Sequence, residues 1–549
     1  MGEPQTSPNP KRWYAMATVS LAVSIIIMDA TVVNVILPVL IQDLSLNVSE
    51  AEWANSIYAL VFAALLITVG RMGDLFGRRR FLLIGITIFV LASLIAASAP
   101  SGAVLLLGRL LQGVGGAMIL PSTLSTVNAM FTGRERGIAF AIWGSTIGGM
   151  AAVGPLVGGW LATYVSWHWA FLINLPIGIL IVVGTILWVP ETRDPHAERG
   201  VDVAGIALSV VGLSALVFGL IEGQRYGWWN VDTAPSIGGW TWPYALSPVP
   251  FAFAIGILSM VAFVVVELSR ARAGRPVLLD LGLLRIRSLR YGSIAALIVS
   301  LGEFGMLFAL PLYVQSVLGF TALNTGLLIL ALAIGTFLIS GGTAQLAGRM
   351  GGRSIVRIGL LLEVTAVAGL ALSISATANA WVLAAWLFLY GVGVGLATAQ
   401  LTNVIMVDVP VAQSGQASGL QSTVRQLGAA LGVAVLGTVL VTTLANAASS
   451  NLEGIAGLSP QAQEQTVSVV KGSAGAAIPG LSSMPGLSQE VQTAAEDAMV
   501  TAARVTTFGA AFARLVGLVA TVGLPATPPA RREDDDADDV APELQPVGD

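Results

Sequence analysis

WYAMATVSLAVSIIIMDATVVNVILPVL, residues 13–40, is a run of 28 residues in which Asp29 is the one charged side chain. A helix needs about 20 mainly apolar residues to cross a bilayer, and this run is longer. It also exceeds the apolar core of a signal peptide and lacks a small-residue cleavage pattern, so it is expected to stay in the mature protein. Thirteen further runs of this kind follow, near 53–70, 81–99, 103–123, 137–160, 169–189, 203–221, 249–268, 290–315, 325–345, 355–374, 379–400, 414–443 and 501–524. Strands of a membrane barrel would alternate in polarity over about ten residues; these runs stay apolar for twice that. The predicted fold class is therefore an all-α integral membrane protein with 14 transmembrane helices. Composition agrees: 11% of the 549 residues are charged, against about 25% in soluble domains. With no Cys and two His, disulfide frameworks, zinc–cysteine sites, thiol nucleophiles and histidine metal clusters are excluded or nearly so.

Orientation follows from the cations. Twenty-one of the 27 Lys and Arg fall in loops on one side, from Lys11 and Arg12 to Arg531 and Arg532. The opposite loops hold only Arg225 and Lys471, while Arg109, Arg425, Arg504 and Arg514 lie within spans. This bias predicts both termini in the cytoplasm and an even number of helices. Arg outnumbers Lys 25 to 2, which points to a GC-rich bacterial genome and thus to a bacterial inner (plasma) membrane. No basic patch with interleaved aromatics suggests nucleic acid as a partner.

An internal repeat organises the spans. Gln112-Gly113-Val114-Gly115-Gly116 resembles Tyr390-Gly391-Val392-Gly393-Val394, and Gly77-Arg78-Arg79 resembles Gly351-Gly352-Arg353. The spacings, 278 and 274 residues, fit two six-helix halves around an inserted pair, the usual construction of secondary transporters. The expected boundaries are a cytoplasmic N-terminus (1–12), the first half (13–189), the inserted helices with flanking loops (190–289), the second half (290–524) and an acidic disordered tail (525–549). Leu387 replaces Arg109 in the second copy, so packing is expected to repeat and chemistry not. Within 222–248, Trp228, Trp229, Trp240 and Trp242 suit an interfacial anchor or a substrate vestibule. The outer loop 444–500 carries Ser459-Pro460, a helix-start signal; a hairpin over the mouth and a flexible linker are both compatible with it.

Chemistry should lie with the polar residues inside spans. A carboxylate at the depth of Asp29 costs roughly 2.5–3.5 kcal/mol on insertion scales, so it must face a polar interior. Desolvation penalises the ionised form of a carboxyl, which suits proton or cation handling; a structural hydrogen-bonding role is the alternative. In Gly70-Arg71-Met72-Gly73-Asp74-Leu75-Phe76-Gly77-Arg78-Arg79-Arg80, topology accounts for the arginines but not for Asp74 among them. Gly70, Asp74, Gly77, Arg78 and Arg79, with Arg136, are expected to latch one conformation. Arg109 stays charged at any relevant pH, so it needs an acceptor and can couple helix movement to proton release. Gly154, Pro155, Gly158 and Gly159 form a small-residue face with a helix-breaking proline. Glu303, about a dozen residues into its span, is a candidate for proton coupling and for a substrate cation. Asn34, Tyr58, Gln315, Glu363, Arg425 and Arg514 are the further candidates for a substrate cavity. Arg514 lies too deep to reach the interface and must pair with a carboxylate or an anionic substrate.

Asp29–Pro38, Gly70–Arg80, Arg109–Gly113 and Gly154–Gly159 resemble, in order and in helix, four signature motifs of the major facilitator superfamily. Trp167–Gly178, Pro311–Gln315 and Ser422–Gly428, with the helix count, resemble its fourteen-helix drug/proton antiporter branch, the EmrB/QacA type. The resemblance spans the chain except 444–500 and the tail. It implies the major facilitator fold and proton-driven export of lipophilic, often cationic, compounds by alternating access. It assigns proton coupling to Asp29, latching to Asp74 and Arg78, coupling to Arg109, and antiport gating to Gly154 and Pro155. Some members carry acidic residues in the thirteenth span, but none occurs between 414 and 443 here, which implies a different set of carboxylates. No Gly-Lys-Ser/Thr nucleotide loop is present, so the drive is expected to be the proton gradient, with no cofactor and no metal. Expected partners are a lipophilic small molecule, protons and membrane lipids, with the protein acting as a monomer. A dedicated exporter of a lipid or natural product is the alternative, and an importer the remote one.

Overall fold

Backbone polar groups inside a bilayer must be satisfied within their own segment, so the apolar runs become long helices. The computed structural model describes residues 11–46, 48–193, 200–237, 240–455, 457–484 and 487–525. The first half comprises α1 (Arg12–Asp43), α2 (Val48–Phe76), α3 (Arg78–Ala97), α4 (Gly102–Met130), α5 (Gly133–Tyr164), and a sixth span made of α6 (His168–Leu172) and α7 (Asn174–Trp188). That span breaks at Ile173 because Pro176 has no N–H to offer the Leu172 carbonyl. The inserted pair is α8 (Val203–Tyr226) and α9 (Pro248–Arg272). The second half comprises α10 (Arg287–Ser316), α11 (Ala322–Met350), α12 (Gly352–Ser373), α13 (Ala380–Met406), α14 (Ser414–Leu452) and, beyond α15 (Pro460–Gly472), α16 (Gln489–Ala520).

Among the described residues, 13 helices are long and apolar enough to cross a membrane. The fourteenth expected span is α11, whose qualifying apolar stretch is shorter, Leu323–Ile339. The expected N-terminal segment before Lys11 and the acidic tail after Pro525 lie outside the described residues.

The repeat is visible in the packing. Gly85 on α3 and Gly115 on α4 meet so closely that a Cβ on Gly115 would lie 2.8 Å from the Gly85 carbonyl. Gly359 on α12 and Gly393 on α13, 274 and 278 residues later, meet in the same way, at 2.8 Å. Gly113 packs on the Tyr58 carbonyl of α2, and Gly391 on the Leu332 carbonyl of α11. Small residues here bring helix backbones together.

The halves meet along two seams. On one, Gly70 of α2 abuts Gly415 and Gly419 of α14. On the other, Gly148 and Gly149 of α5 face Thr336 and Phe337 of α11. The inserted pair lies beside the first seam, through Trp53–Phe218 stacking (6.0 Å) to α2 and a Gln224 bond (3.0 Å) to the Val433 carbonyl of α14.

Two segments differ from expectation. The tryptophan loop contains a minimal hairpin, Ser236–Ile237 paired with Trp240–Thr241. The outer loop is largely helix, since α14 runs to Leu452 and α16 begins at Gln489. Alanine-rich sequence favours this extension, and Leu444, Ala448 and Leu452, then Val491, Ala495, Ala498 and Ala502, continue a buried stripe at helical spacing. Ser459 does cap α15, accepting from the Ala462 N–H (3.2 Å). The α15 hairpin seats on these extensions, with Val470, Ile478 and Leu481 buried against them.

Candidate functional site

Asp29 lies near the middle of α1 and is 1% exposed. Its Oδ2 accepts from Arg109 Nη1 (2.5 Å), while Oδ1 accepts from Gln112 Nε2 (2.8 Å) and Asn174 Nδ2 (3.0 Å). Ser93 Oγ joins the last two donors, accepting at 2.9 and 3.1 Å. Arg109 also donates to Gln112 Oε1 (2.8 Å) and the Ala54 carbonyl (2.9 Å), and its guanidinium lies 4.4 Å from the Tyr58 ring centroid. Five helices thus converge on one carboxylate and satisfy both of its oxygens. Asn34 shares α1, but its side chain lies outside the described ones. Tyr58, a cavity candidate from the sequence, is buried beside this charge centre.

Gly154 and Gly158 fix where α1 lies. A Cβ on Gly154 would collide with Thr31 and approach the Met28 carbonyl (3.0 Å); one on Gly158 would meet Val32 (3.0 Å). The face with Gly159 and Pro155 therefore packs α5 against Met28, Thr31, Val32 and Val35 around Asp29, while the Pro155–Leu156 backbone comes near Gly326 of α11.

Asp74, at the end of α2, is fully buried and crosses to the other half. Its Oδ1 accepts from the Gly415 N–H (2.9 Å) and its Oδ2 from the Gln416 N–H (2.9 Å), at the start of α14. The helix has no side-chain cap of its own, so the α2 carboxylate supplies one. Arg78 holds Asp74 through Nε (3.1 Å) and Nη2 (2.7 Å), and Nη2 also donates to the Val411 carbonyl (2.7 Å). Asn128 of α4 donates to Ser414 Oγ (2.7 Å). Gly70 permits the close approach, and Gly77 turns the chain with φ 112°. Arg79 stands outside the latch, bonded to the Ile186 carbonyl of its own half. Arg136 has Asp408 as its electrostatic partner across the seam.

The second half holds its own charge centre. Arg514 of α16 donates to Glu363 Oε2 of α12 (3.2 Å) and to the Tyr390 hydroxyl of α13 (2.5 Å), and its guanidinium lies 4.7 Å from the Tyr390 ring centroid. All three are buried, so Glu363 and Arg514 pair with each other rather than lining the cavity. The carboxylate partner of Arg514 expected from its depth is Glu363. Chemistry does recur in this half, contrary to the expectation from Leu387, because the arginine comes from a different helix. Gln112 and Tyr390 are equivalent in the repeat (278 residues apart), as are Asp29 and Glu303 (274); the sequence signal for Glu303 was its depth in the span. For Ser93 and Asn174, polar residues within apolar runs were the only sign.

Glu303 and Arg425 line a cavity of about 10 Å³, room for about one water. Ser300 of α10, Thr398 and Thr402 of α13, and Gln421 of α14 complete its polar wall. The cavity thus lies among helices of the second half and offers both signs of charge. Gln315 is exposed at the far end of α10 and does not reach it.

Known proteins match this architecture. The model of the Major Facilitator Superfamily matches residues 19–433. The multidrug efflux pump LfrA of Mycolicibacterium smegmatis is 34% identical over 87% of this chain and 89% of its own length. A tetracenomycin C resistance and export protein of Streptomyces glaucescens is 28% identical over 99% of this chain and 96% of its own. Among solved structures, the human organic anion transporter MFSD10 (TETRAN) superposes with a TM-score of 0.60 at 14% identity, covering 93% of this chain and all of that one, which supports the fold alone. The helix order, the repeated glycine contacts, the Asp74 contact between the halves and these matches lead to one conclusion: the chain is a multi-pass membrane transporter and belongs to the Major Facilitator Superfamily.

Proposed function

We propose that the protein is a proton-coupled antiporter that exports lipophilic, often cationic, compounds across a bacterial inner membrane by alternating access, with both termini cytoplasmic. It acts as a monomer among membrane lipids, with no cofactor. The observation that carries this reading is the buried Asp29–Arg109 pair. Protonating Asp29 removes the negative partner of a guanidinium that cannot itself neutralise. Leaving a buried charge unpaired costs about 3–5 kcal/mol, and one proton returning through ~150 mV supplies about 3.5 kcal/mol. The two magnitudes match, so one proton can drive α1 and α4 into a new arrangement. The closed Asp74–α14 contact supports a state shut on the arginine-rich side, where a proton reaches Asp29 from the opposite side.

The names of the relatives, a multidrug efflux pump and a tetracenomycin C resistance and export protein, support a lipophilic substrate, with the dedicated exporter as the alternative. The test is to load purified protein into inverted vesicles, impose a proton gradient, and add lipophilic cations, neutral antibiotics and lipids in turn. Several unrelated compounds should each collapse the gradient, and Asp29→Asn should abolish the response. A response to one compound class would indicate a dedicated exporter, and persistence of the response in Asp29→Asn would remove Asp29 from coupling.

A further inference from the structure

The two buried carboxylates differ in how their oxygens are held. Asp29 accepts three hydrogen bonds, shared between both oxygens. Glu363 accepts one, at Oε2 from Arg514, whereas Oε1 is buried with no hydrogen-bonding partner among the described residues. An unpartnered buried acceptor costs free energy, most of all when it is charged, and a proton on Oε1 would neutralise the carboxylate at the oxygen that no donor holds. The groups facing Glu363 are Arg514 from α16, Tyr390 from α13 and, at electrostatic range, Glu303 from α10. Asp29 and Arg109 belong to the other half.

Arg514 stands between Glu363 and α10. A Cβ on Gly302 would lie 2.8 Å from Arg514 Nη1, and the next residue, Glu303, lines the cavity with Arg425. Among the charges Arg514 senses are both Glu363 and Glu303. Two carboxylates on different helices therefore flank one guanidinium, one sealed in the core and the other at the cavity.

We propose that Glu363 is a second proton-binding site, with Arg514 the group that its protonation sets free toward Glu303. The proton passes from water to Glu363 Oε1, forming an O–H bond while the Arg514–Glu363 ion pair breaks. The centre of Glu363 and Arg514 goes from neutral to a charge of plus one. Arg514, now without its carboxylate partner, pairs with Glu303 and competes there with a substrate cation, so proton loading in this half favours cation release. The proposal rests on the proton-coupled reading, but it adds a carboxylate that the Asp29 site does not contain.

Infrared difference spectroscopy on the reconstituted protein tests it without any substrate. Films of wild type, Asp29→Asn, Glu303→Gln, the Asp29→Asn/Glu303→Gln double variant and Glu363→Gln are cycled between high and low pH while the carbonyl stretch of protonated carboxyls is followed. The expected result is a band that survives in the double variant and disappears in Glu363→Gln. If Glu363→Gln does not fold, Glu363→Asp takes its place and should displace the surviving band, since the oxygens shift by one methylene. No band in the double variant, or a band that neither Glu363 variant alters, would overturn the proposal. A missing Asp29 band beside an intact Glu363 band would instead refute the role of Asp29 and leave this site standing. As a check on coupling, a tenfold proton gradient with the potential clamped at zero should sustain about 100-fold ethidium accumulation in wild type and about tenfold in Glu363→Gln. Equal ratios in the two would overturn the coupling of this site.

Discussion

At the scale of single residues, Arg109 is the more informative half of its pair. Removing Asp29's charge by Asp29→Asn leaves a side chain that still offers an oxygen to Arg109. Removing the guanidinium by Arg109→Ala strands a carboxylate held by two amides alone. Arg109→Ala is therefore expected to lower stability by about 3–5 kcal/mol, read as the thermal unfolding midpoint in detergent, and the double variant Asp29→Asn/Arg109→Gln to recover most of that loss without recovering transport. An Arg109→Ala midpoint equal to wild type would mean that the pair holds nothing together. Asp29 and Arg109 stood out in the sequence as charges within apolar runs, and Asp74 as an acid among arginines that topology alone does not call for. Their partners were not, since Asn174 is 145 residues from Asp29 and Arg514 is 151 from Glu363, and no local pattern encodes such pairings. Glu363 was read as a cavity residue for the same reason: depth in a span is visible in sequence, whereas the face it presents is not.

At the scale of elements, the small-residue face of α5 does what its spacing predicted, yet its partner could not be foreseen. It packs on α1 around Asp29, so a bulky side chain there pushes away the helix that carries Asp29. Gly154→Val is expected to fold and insert but to lose at least about tenfold in export rate, because the added methyls must displace Thr31 and the Met28 carbonyl where tight helix contact is needed. Near-normal transport by Gly154→Val, measured in the inverted-vesicle assay, would show that α1 and α5 need not meet so closely. The ends of α14 and α16 were harder to read, because polar Ala-rich turns outside the apolar runs carry no membrane signal. Their helical continuity is held by packing against each other and against α15.

At the scale of the whole molecule, the seam between halves joins Asp74, Arg78 and Asn128 to the start of α14. The repeat and its glycines made the two-half plan readable in advance; which surfaces meet was not, because contacts between halves are set by conformation. The absence of Cys makes the seam easy to interrogate. Replacing Asn128 and Ser414, whose side chains touch at 2.7 Å, by cysteines should give a disulfide under oxidising conditions that stops transport, with recovery on reduction. Unimpaired turnover in the oxidised form would mean that this seam need not part.

Burial of the latch has a consequence for the conditions under which the transporter works. Charges exposed to solvent weaken as ionic strength rises, over a screening length of about 8 Å at physiological salt. Asp74 and Arg78, at 0% and 1% exposure, are shielded from mobile ions, unlike Arg12–Glu135 at the rim, at 21% and 38%. The contact between the halves should therefore keep the same strength in dilute and concentrated salt alike, so that a cell under osmotic stress retains its transport capacity without retuning the protein.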